Sequence, residues 1–94
     1  MTDTAYISCI NKQPRNDIHH RIVNVGGVHG SERWKIGIDA AIEHIESKRW
    51  RFITKPPVGH GQDVVVAIHL GRKYLKTVAD YDTPDNLLSL PECP

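Results

Sequence analysis

The chain has 94 residues, of which 39% are hydrophobic and 24% charged, and its formal net charge at pH 7 is +1. This length predicts a single domain over residues 1–94, and the composition excludes an intrinsically disordered chain. The sequence has no run of about 18 apolar residues, so it predicts no membrane partner. The first residues lack the basic and apolar regions of a signal peptide, which favours a cytoplasmic location.

The N-terminal third predicts two strands. Residues 6–10 are β-branched and aromatic and predict the first strand, which is followed by a polar loop over residues 11–17. Residues 20–25 predict a second strand antiparallel to the first. Gly26-Gly27 is expected to end this strand at a position that requires positive φ. Residues 34–36 are interpreted as a short extended stretch.

The centre of the chain predicts one helix. Ile38, Ala41, Ile42 and Ile45 recur at i, i+3, i+4 and i+7, the spacing of a single apolar stripe on a helix. Gly37 is the predicted N-cap. The stripe predicts that this helix lies across a hydrophobic surface of the sheet.

Three further strands and a turn are predicted after the helix. Residues 50–54 alternate in polarity, with Trp50 and Phe52 on the face that packs under the helix. Residues 63–70 are apolar on both faces and predict a central strand, and Pro56-Pro57 separates the two strands. A turn at Gly71-Arg72 leads to a final strand over residues 73–79.

The C-terminal segment predicts a short helical turn, because Thr83-Pro84-Asp85 has the order of a helix start. The predicted fold class is therefore α+β. It consists of a small antiparallel sheet in ββαβββ order, one helix packed on one face, and a short C-terminal helical turn.

The last residues also carry the most specific motif, which reads D-N-L-L-x-L-P-x-C over residues 85–93. Weaker motifs precede it, namely Gly26-Gly27, Trp34-Lys35, Ala41-Ile42-x-x-Ile45-Glu46, Phe52 and Tyr74-Leu75-x-Thr77-x-Ala79-Asp80. With these motifs the chain resembles the domain-of-unknown-function family 3892, a family of short uncharacterised microbial proteins. The resemblance implies a small α+β protein of unassigned activity and carries over no site residue. Members usually have glycine just past the helix, where this chain has Ser47-Lys48.

The two cysteines, Cys9 and Cys93, lie near opposite ends of the sequence. A reducing cytosol predicts two free thiols, with a disulfide as the alternative. Cys93, activated by a histidine base, is the weak catalytic candidate of a cysteine-dependent enzyme.

Basic residues are concentrated in the second half of the chain. Between residues 48 and 76 seven bases accompany one acid, whereas residues 77–94 hold four acids and no base. Such an asymmetry indicates either an anion-binding face or an acidic tail that lies on a basic sheet. The candidate residues for an anionic partner are Arg49, Arg51, Arg72, Lys73 and Lys76.

Neither the histidines nor the acids predict a metal site. The six histidines lack the close spacing of zinc ligands and are interpreted as scattered surface residues. The acidic run at Asp80, Asp82 and Asp85 has no glycine or glutamate at the positions of a calcium-binding loop, so helix capping is the preferred interpretation.

The sequence thus favours a non-enzymatic binding or accessory module with no cofactor. Its partner is expected to be another protein or an anionic ligand, and the chain a monomer or weak homodimer. Two alternatives remain open. One is nonspecific nucleic-acid binding through the basic strands, and the other is the cysteine-dependent enzyme.

Overall fold

The α+β class, the main helix and the C-terminal helical turn are confirmed in a computed structural model, which describes residues 2–13, 18–56, 59–80 and 85–94. Neither helix in this part of the chain has the length and apolar character of a membrane span. The elements in chain order are β1 (Asp3–Ile7), β2 (Cys9–Lys12), a 3₁₀ turn (Ile18–His20), β3 (Ile22–His29), β4 (Glu32–Gly37), α1 (Ile38–Glu46), β5 (Trp50–Thr54), β6 (Val64–His69), β7 (Arg72–Thr77) and α2 (Asp85–Leu88).

The strands do not form the single sheet that was predicted. Among the described residues they form three small sheets, in which β1 pairs with β5 in parallel, β2-β3-β4 is antiparallel, and β6-β7 is an antiparallel hairpin. Helix α1 contacts strands from all three sheets, so one apolar stripe holds them together.

The predicted first strand is divided at Ser8. Ile7 and Ile10 are both buried, at 0% and 1% exposure. Residues three apart point to opposite faces of a straight strand, so the chain must bend between them to bury both. The Ser8 N–H donates to the Gly26 carbonyl at 2.9 Å and fixes this bend.

Gly26 and Gly27 lie inside β3, and the prediction that they end a strand at positive φ is wrong. They are needed for close approach instead. A Cβ atom at Gly26 would lie 2.7 Å from the Trp34 carbonyl oxygen and 3.0 Å from the Cys93 Sγ. A Cβ atom at Gly27 would collide with the Tyr6 carbonyl oxygen of β1. The two glycines therefore let β1, β4 and the C-terminal segment pack directly on the β3 backbone.

Helix α1 begins as predicted, with Gly37 as its N-cap in extended conformation. Ala41 and Ile42 are buried, and Ile38 and Ile45 pack against the same core. The predicted stripe is thus the buried face of the helix.

The helix ends in a Schellman motif. The Lys48 N–H donates to the Ile45 carbonyl and the Arg49 N–H to the His44 carbonyl, both at 3.1 Å. Lys48 has φ 61°, the left-handed conformation that glycine adopts without steric cost. The helix therefore ends with both Schellman hydrogen bonds although Lys48 stands at the position that glycine favours.

The alternation predicted for β5 is confirmed, because Phe52 is 2% exposed while Arg51 faces solvent. The prediction that the valine-rich strand is central is wrong. In the described residues β6 pairs along its length only with β7, and Ile68 is 66% exposed. The β6–β7 turn is centred on Leu70 and Gly71, one residue earlier than predicted.

The C-terminal segment packs on β2 and β7, and its Cys93 meets β3 at Gly26. Leu87 and Leu90 are buried, and the Cys93 N–H donates to the Ile10 carbonyl at 3.0 Å. Cys9 and Cys93 form a disulfide, with Cα atoms 4.9 Å apart, so the prediction of two free thiols is wrong in this structure. Backbone pairing brings together cysteines that the sequence separates by 84 positions. Asn11 and Lys12 end β2, so the prediction of a polar loop over residues 11–17 is wrong at its beginning. Residues 14–17 of that loop, Pro57 and the Thr83-Pro84 cap lie outside the described residues, and the cytoplasmic location stays a prediction.

Candidate functional site

Three of the five residues predicted to bind an anion donate hydrogen bonds within the chain. Arg51 donates from Nε and Nη2 to the two carboxylate oxygens of Asp63, at 2.7 and 2.9 Å. These hydrogen bonds hold the pKa of Asp63 below its usual value, and the carboxylate in turn raises the pKa of Arg51. Arg49 and Arg72 are exposed at the beginnings of β5 and β7. Arg51 is therefore already paired within its own chain.

The two lysines of the predicted set are also engaged. The Lys73 Nζ donates to Glu46 at 2.8 Å, and the Lys76 Nζ donates to the Asp80 carbonyl at 3.2 Å. The Asp80 carboxylate accepts hydrogen bonds from the Thr77 N–H and hydroxyl. It also accepts one from the Asn86 N–H, in the first turn of α2. Asp80 thus accepts a hydrogen bond from the first turn of α2, whereas Thr83, the predicted cap, and Asp82 lie outside the described residues.

An apolar cavity of about 290 Å³ opens between β4, β5 and α1. We call it the tryptophan pocket, and its lining residues are Ala5, His29, Trp34, Ile36, His44, Trp50 and Phe52. Trp50 and Phe52 are predicted core residues, and no pattern in the sequence indicates a cavity beside them.

Strand periodicity places these side chains together. Trp34 and Ile36 share one face of β4, and Trp50 and Phe52 share one face of β5. Ala5 of β1 lies opposite Phe52 in the parallel pair and leaves the space above the ring open. The Trp34 and Phe52 ring centroids are 5.8 Å apart at an interplanar angle of 34°. Buried residues therefore form the floor, and half-buried aromatic rings form the walls.

Two polar atoms on these walls have no partner. In the described part of the chain, three buried side-chain nitrogen atoms lack a hydrogen bond, and two of them are the Trp34 Nε1 and the His44 Nδ1. The Nε1 edge of the indole lies against β3, 3.2 Å from the position of a Cβ atom on Gly27. A buried polar atom without a partner destabilises the fold by about 1–3 kcal/mol. The lining of the tryptophan pocket is thus less well satisfied than the rest of the interior.

A second cavity, of about 180 Å³, lies between the 3₁₀ turn, β7 and the start of α1. We call it the histidine pocket, and its lining residues are His19, His20, Ile22, Val23, Ile38, Asp39, Arg72, Lys73, Tyr74 and Leu75. Of the residues predicted to bind an anion, Arg72 and Lys73 are brought together here.

The interpretation of the histidines as scattered surface residues is wrong for this cluster. His19 and His20 are each only 8% exposed. The His19 ring stacks on His69, with centroids 3.6 Å apart and an interplanar angle of 11°, and the Tyr74 ring meets His19 edge-on at 5.1 Å. Nothing in the spacing of these residues along the sequence signals the cluster, because it depends on how the 3₁₀ turn packs against β7.

The structure places Cys93 in the disulfide, where its Sγ is bonded to Cys9. Within residues 2–13, 18–56, 59–80 and 85–94, no group of three or more His, Cys, Asp or Glu side chains is arranged to hold a metal ion.

Comparison with known proteins gives one match. Residues 6–91 match a family described as "Protein of unknown function (DUF3892)". No curated protein and no solved structure matches the chain. The match extends from the end of β1 to Pro91 and includes both helices and every lining residue of the two pockets except Ala5. The chain therefore belongs to the DUF3892 family.

Proposed function

We propose that the chain is a non-enzymatic binding module whose ligand inserts a flat apolar group into the tryptophan pocket. The observation that carries the proposal is a concave cavity walled by Trp34 and Trp50 and floored by Phe52. Small-molecule sites are typically concave and mostly apolar, with a few polar atoms among hydrophobic and aromatic side chains.

The size and shape of the cavity favour a ring system. A volume of about 290 Å³ lies at the lower end of the range of ligand cavities and suits one or two fused rings. Aromatic rings prefer offset-stacked or edge-to-face packing. The rings of Trp34 and Phe52 are tilted against each other, so together they offer a ligand ring both a face and an edge. Removal of this surface from water by a ligand would stabilise the complex by roughly 25 cal/mol per Å² of apolar area.

The alternatives have less support. Nucleic-acid bases stack on exposed rings, whereas Phe52 is buried and Arg51 on the opposite face is paired with Asp63. A cysteine nucleophile must be a thiolate, whereas the Cys93 Sγ is bonded to Cys9. A non-catalytic binding role is the function that the geometry of the pocket supports.

The proposal is tested with N-phenyl-1-naphthylamine, a neutral dye whose emission rises in apolar surroundings. We expect saturable enhancement with the wild-type chain. Ala5→Leu places a larger side chain in the cavity and should weaken dye binding at least about tenfold. Ala67→Leu, on β6 and outside the lining of the tryptophan pocket, is the matched control and should bind as the wild type does.

Near-ultraviolet circular dichroism shows whether each variant keeps its packed aromatic side chains. Absence of saturable enhancement in the wild type, or equal affinity in folded Ala5→Leu, would refute the proposal.

A further inference from the structure

The histidine pocket differs in chemistry from the tryptophan pocket and is independent of it. We infer that this cavity is a binding site for a small oxyanion and that a phosphate group is its occupant. The two sites share no lining residue, so either can fail a test without the other.

Two cationic side chains and two imidazoles line this cavity. His19 and His20 belong to its buried wall, and Arg72 and Lys73 bring two cations from β7. Guanidinium, ammonium and imidazole groups are the side chains that bind phosphate oxygens through charge-assisted hydrogen bonds. Asp39 is the one acid among the described lining residues, so the cationic residues outnumber it.

The imidazoles are held in place before any ligand arrives. The His20 Nε2 lies 3.3 Å from the Arg72 carbonyl oxygen, and because a carbonyl can only accept, this nitrogen carries the proton. The His19 ring is fixed between His69 and Tyr74 by stacking and edge contacts. Because the Nε2–H of His20 is already donated, a neutral His20 has no second N–H for a phosphate, so the imidazoles shape the cavity while Arg72 and Lys73 supply the charge-assisted hydrogen bonds.

The beginning of α1 adds to this arrangement. Ile38 and Asp39, in its first turn, line the cavity, and the N-cap residue Gly37 provides no side-chain hydrogen bond to the first amides. Unpaired amides at a helix N-terminus attract anions, an effect that supplements the two cationic side chains. The Asp39 carboxylate opposes an anion, and Lys73 is shared with Glu46. These acids make the expected affinity moderate and give the experiment a variant that should improve binding.

The test is a titration of the whole chain with inorganic phosphate, followed by amide and imidazole NMR signals, with sodium chloride at equal ionic strength as the blank. Saturable shifts are expected at His19, His20, Ile38 and Asp39 with phosphate alone. Arg72→Ala should weaken the apparent affinity about tenfold, the usual effect of one lost charge-assisted hydrogen bond. Asp39→Asn should strengthen it several-fold, because it removes a like charge.

Arg49→Ala is the matched control, since Arg49 is an exposed arginine outside the described lining of the histidine pocket, and it should leave the affinity unchanged. Both arginines are exposed, so neither substitution should unfold the chain. The inference is overturned if chloride reproduces the shifts, if phosphate gives none, or if Arg49→Ala and Arg72→Ala weaken binding equally.

Discussion

The C-terminal closure, in which residues 87–93 pack on β2 and β7 and meet β3 at Gly26, and the tryptophan pocket are both built on the β2-β3-β4 sheet but differ in their hydrogen bonding. At the closure, the Ile10 N–H and carbonyl pair with Pro91 and Cys93, and the Asn11 amide donates to the Cys93 carbonyl. At the pocket, the Trp34 Nε1 and the His44 Nδ1 are buried without a partner among the described residues.

The contrast is between a region whose polar groups are hydrogen-bonded and one that has unpaired buried nitrogen atoms among the described residues. At the closure, hydrogen bonds, buried leucines and a disulfide act together, which is typical of a region that contributes stability. Around the pocket, half-buried rings and unsatisfied nitrogens coexist, and stability is commonly sacrificed in this way at binding sites. Substitutions at the closure should therefore lower stability, and some substitutions at the pocket should not.

The largest effect is expected from loss of the disulfide. Its closed loop spans 84 positions, and the chain-entropy relation predicts that Cys9→Ala/Cys93→Ala lowers the free energy of unfolding by about 4.5 kcal/mol. Urea denaturation measures the change, and treatment of the wild type with a dithiol reductant should have a similar effect. Unchanged stability in both experiments would mean that the closure does not depend on the covalent link.

A smaller loss of stability is expected from Gly27→Ala, at the point where β3 contacts the Trp34 indole. The new Cβ atom would collide with the Tyr6 carbonyl oxygen and lie 3.2 Å from the Trp34 Nε1, so β1 or the indole must move, at a cost of about 1–3 kcal/mol. Gly37→Ala is the control for the added methyl group, because the nearest atom to its Cβ position is 4.0 Å away, and as an N-cap substitution it should lower stability by less than about 1 kcal/mol. Thermal unfolding should show a clearly larger drop for Gly27→Ala, and equal drops would contradict the close approach at Gly27.

Substitutions of His44 and His20 should differ in their effect on stability, because the two rings differ in hydrogen bonding. The His44 Nδ1 has no hydrogen-bond partner among the described residues. His44→Phe should therefore leave the stability unchanged or raise it by up to about 1 kcal/mol. His20→Phe leaves the Arg72 carbonyl without its hydrogen bond and should lower stability by about 1–3 kcal/mol. Denaturant midpoints compare the two variants. A larger loss at His44 than at His20 would show that the pocket wall is structural.

The smallest effect is expected at the exposed pair of Arg51 and Asp63, outside both regions. The pKa of Asp63 is lower in the folded chain than its ordinary value. The pair therefore stabilises the fold at any pH above that ordinary pKa. The contribution disappears as the pH falls through the pKa of the folded state. Asp63→Asn should flatten the acid limb of the stability profile slightly and leave neutral-pH unfolding nearly unchanged. An acid limb identical to that of the wild type would show that the pair is energetically silent.

Local patterns in the sequence predicted the local structure. The stripe of α1, the alternation of β5 and the β6–β7 hairpin follow from periodicity, which depends on neighbouring residues. Lys48 shows that even a helix end is robust, because the Schellman hydrogen bonds form with a lysine where glycine is preferred.

Long-range contacts were not predictable in the same way. The bend at Ser8 follows from the burial of both Ile7 and Ile10, which no single-strand pattern expresses. The parallel pairing of β1 with β5 and the contact between Cys9 and Cys93 join residues that are far apart in the chain. Both pockets lie at such junctions, so their residues could be interpreted individually from the sequence but not assembled into sites.

The most direct measurement is an NMR titration of the chain with 2-naphthol, a neutral two-ring probe. If the tryptophan pocket binds ligands and the closure is structural, the signals of Ala5, Phe52 and the Trp34 and Trp50 indoles should shift saturably, while those of Cys9 and Gly26 stay in place. Equal shifts at the two regions, or no saturable shift at the indoles, would contradict this account.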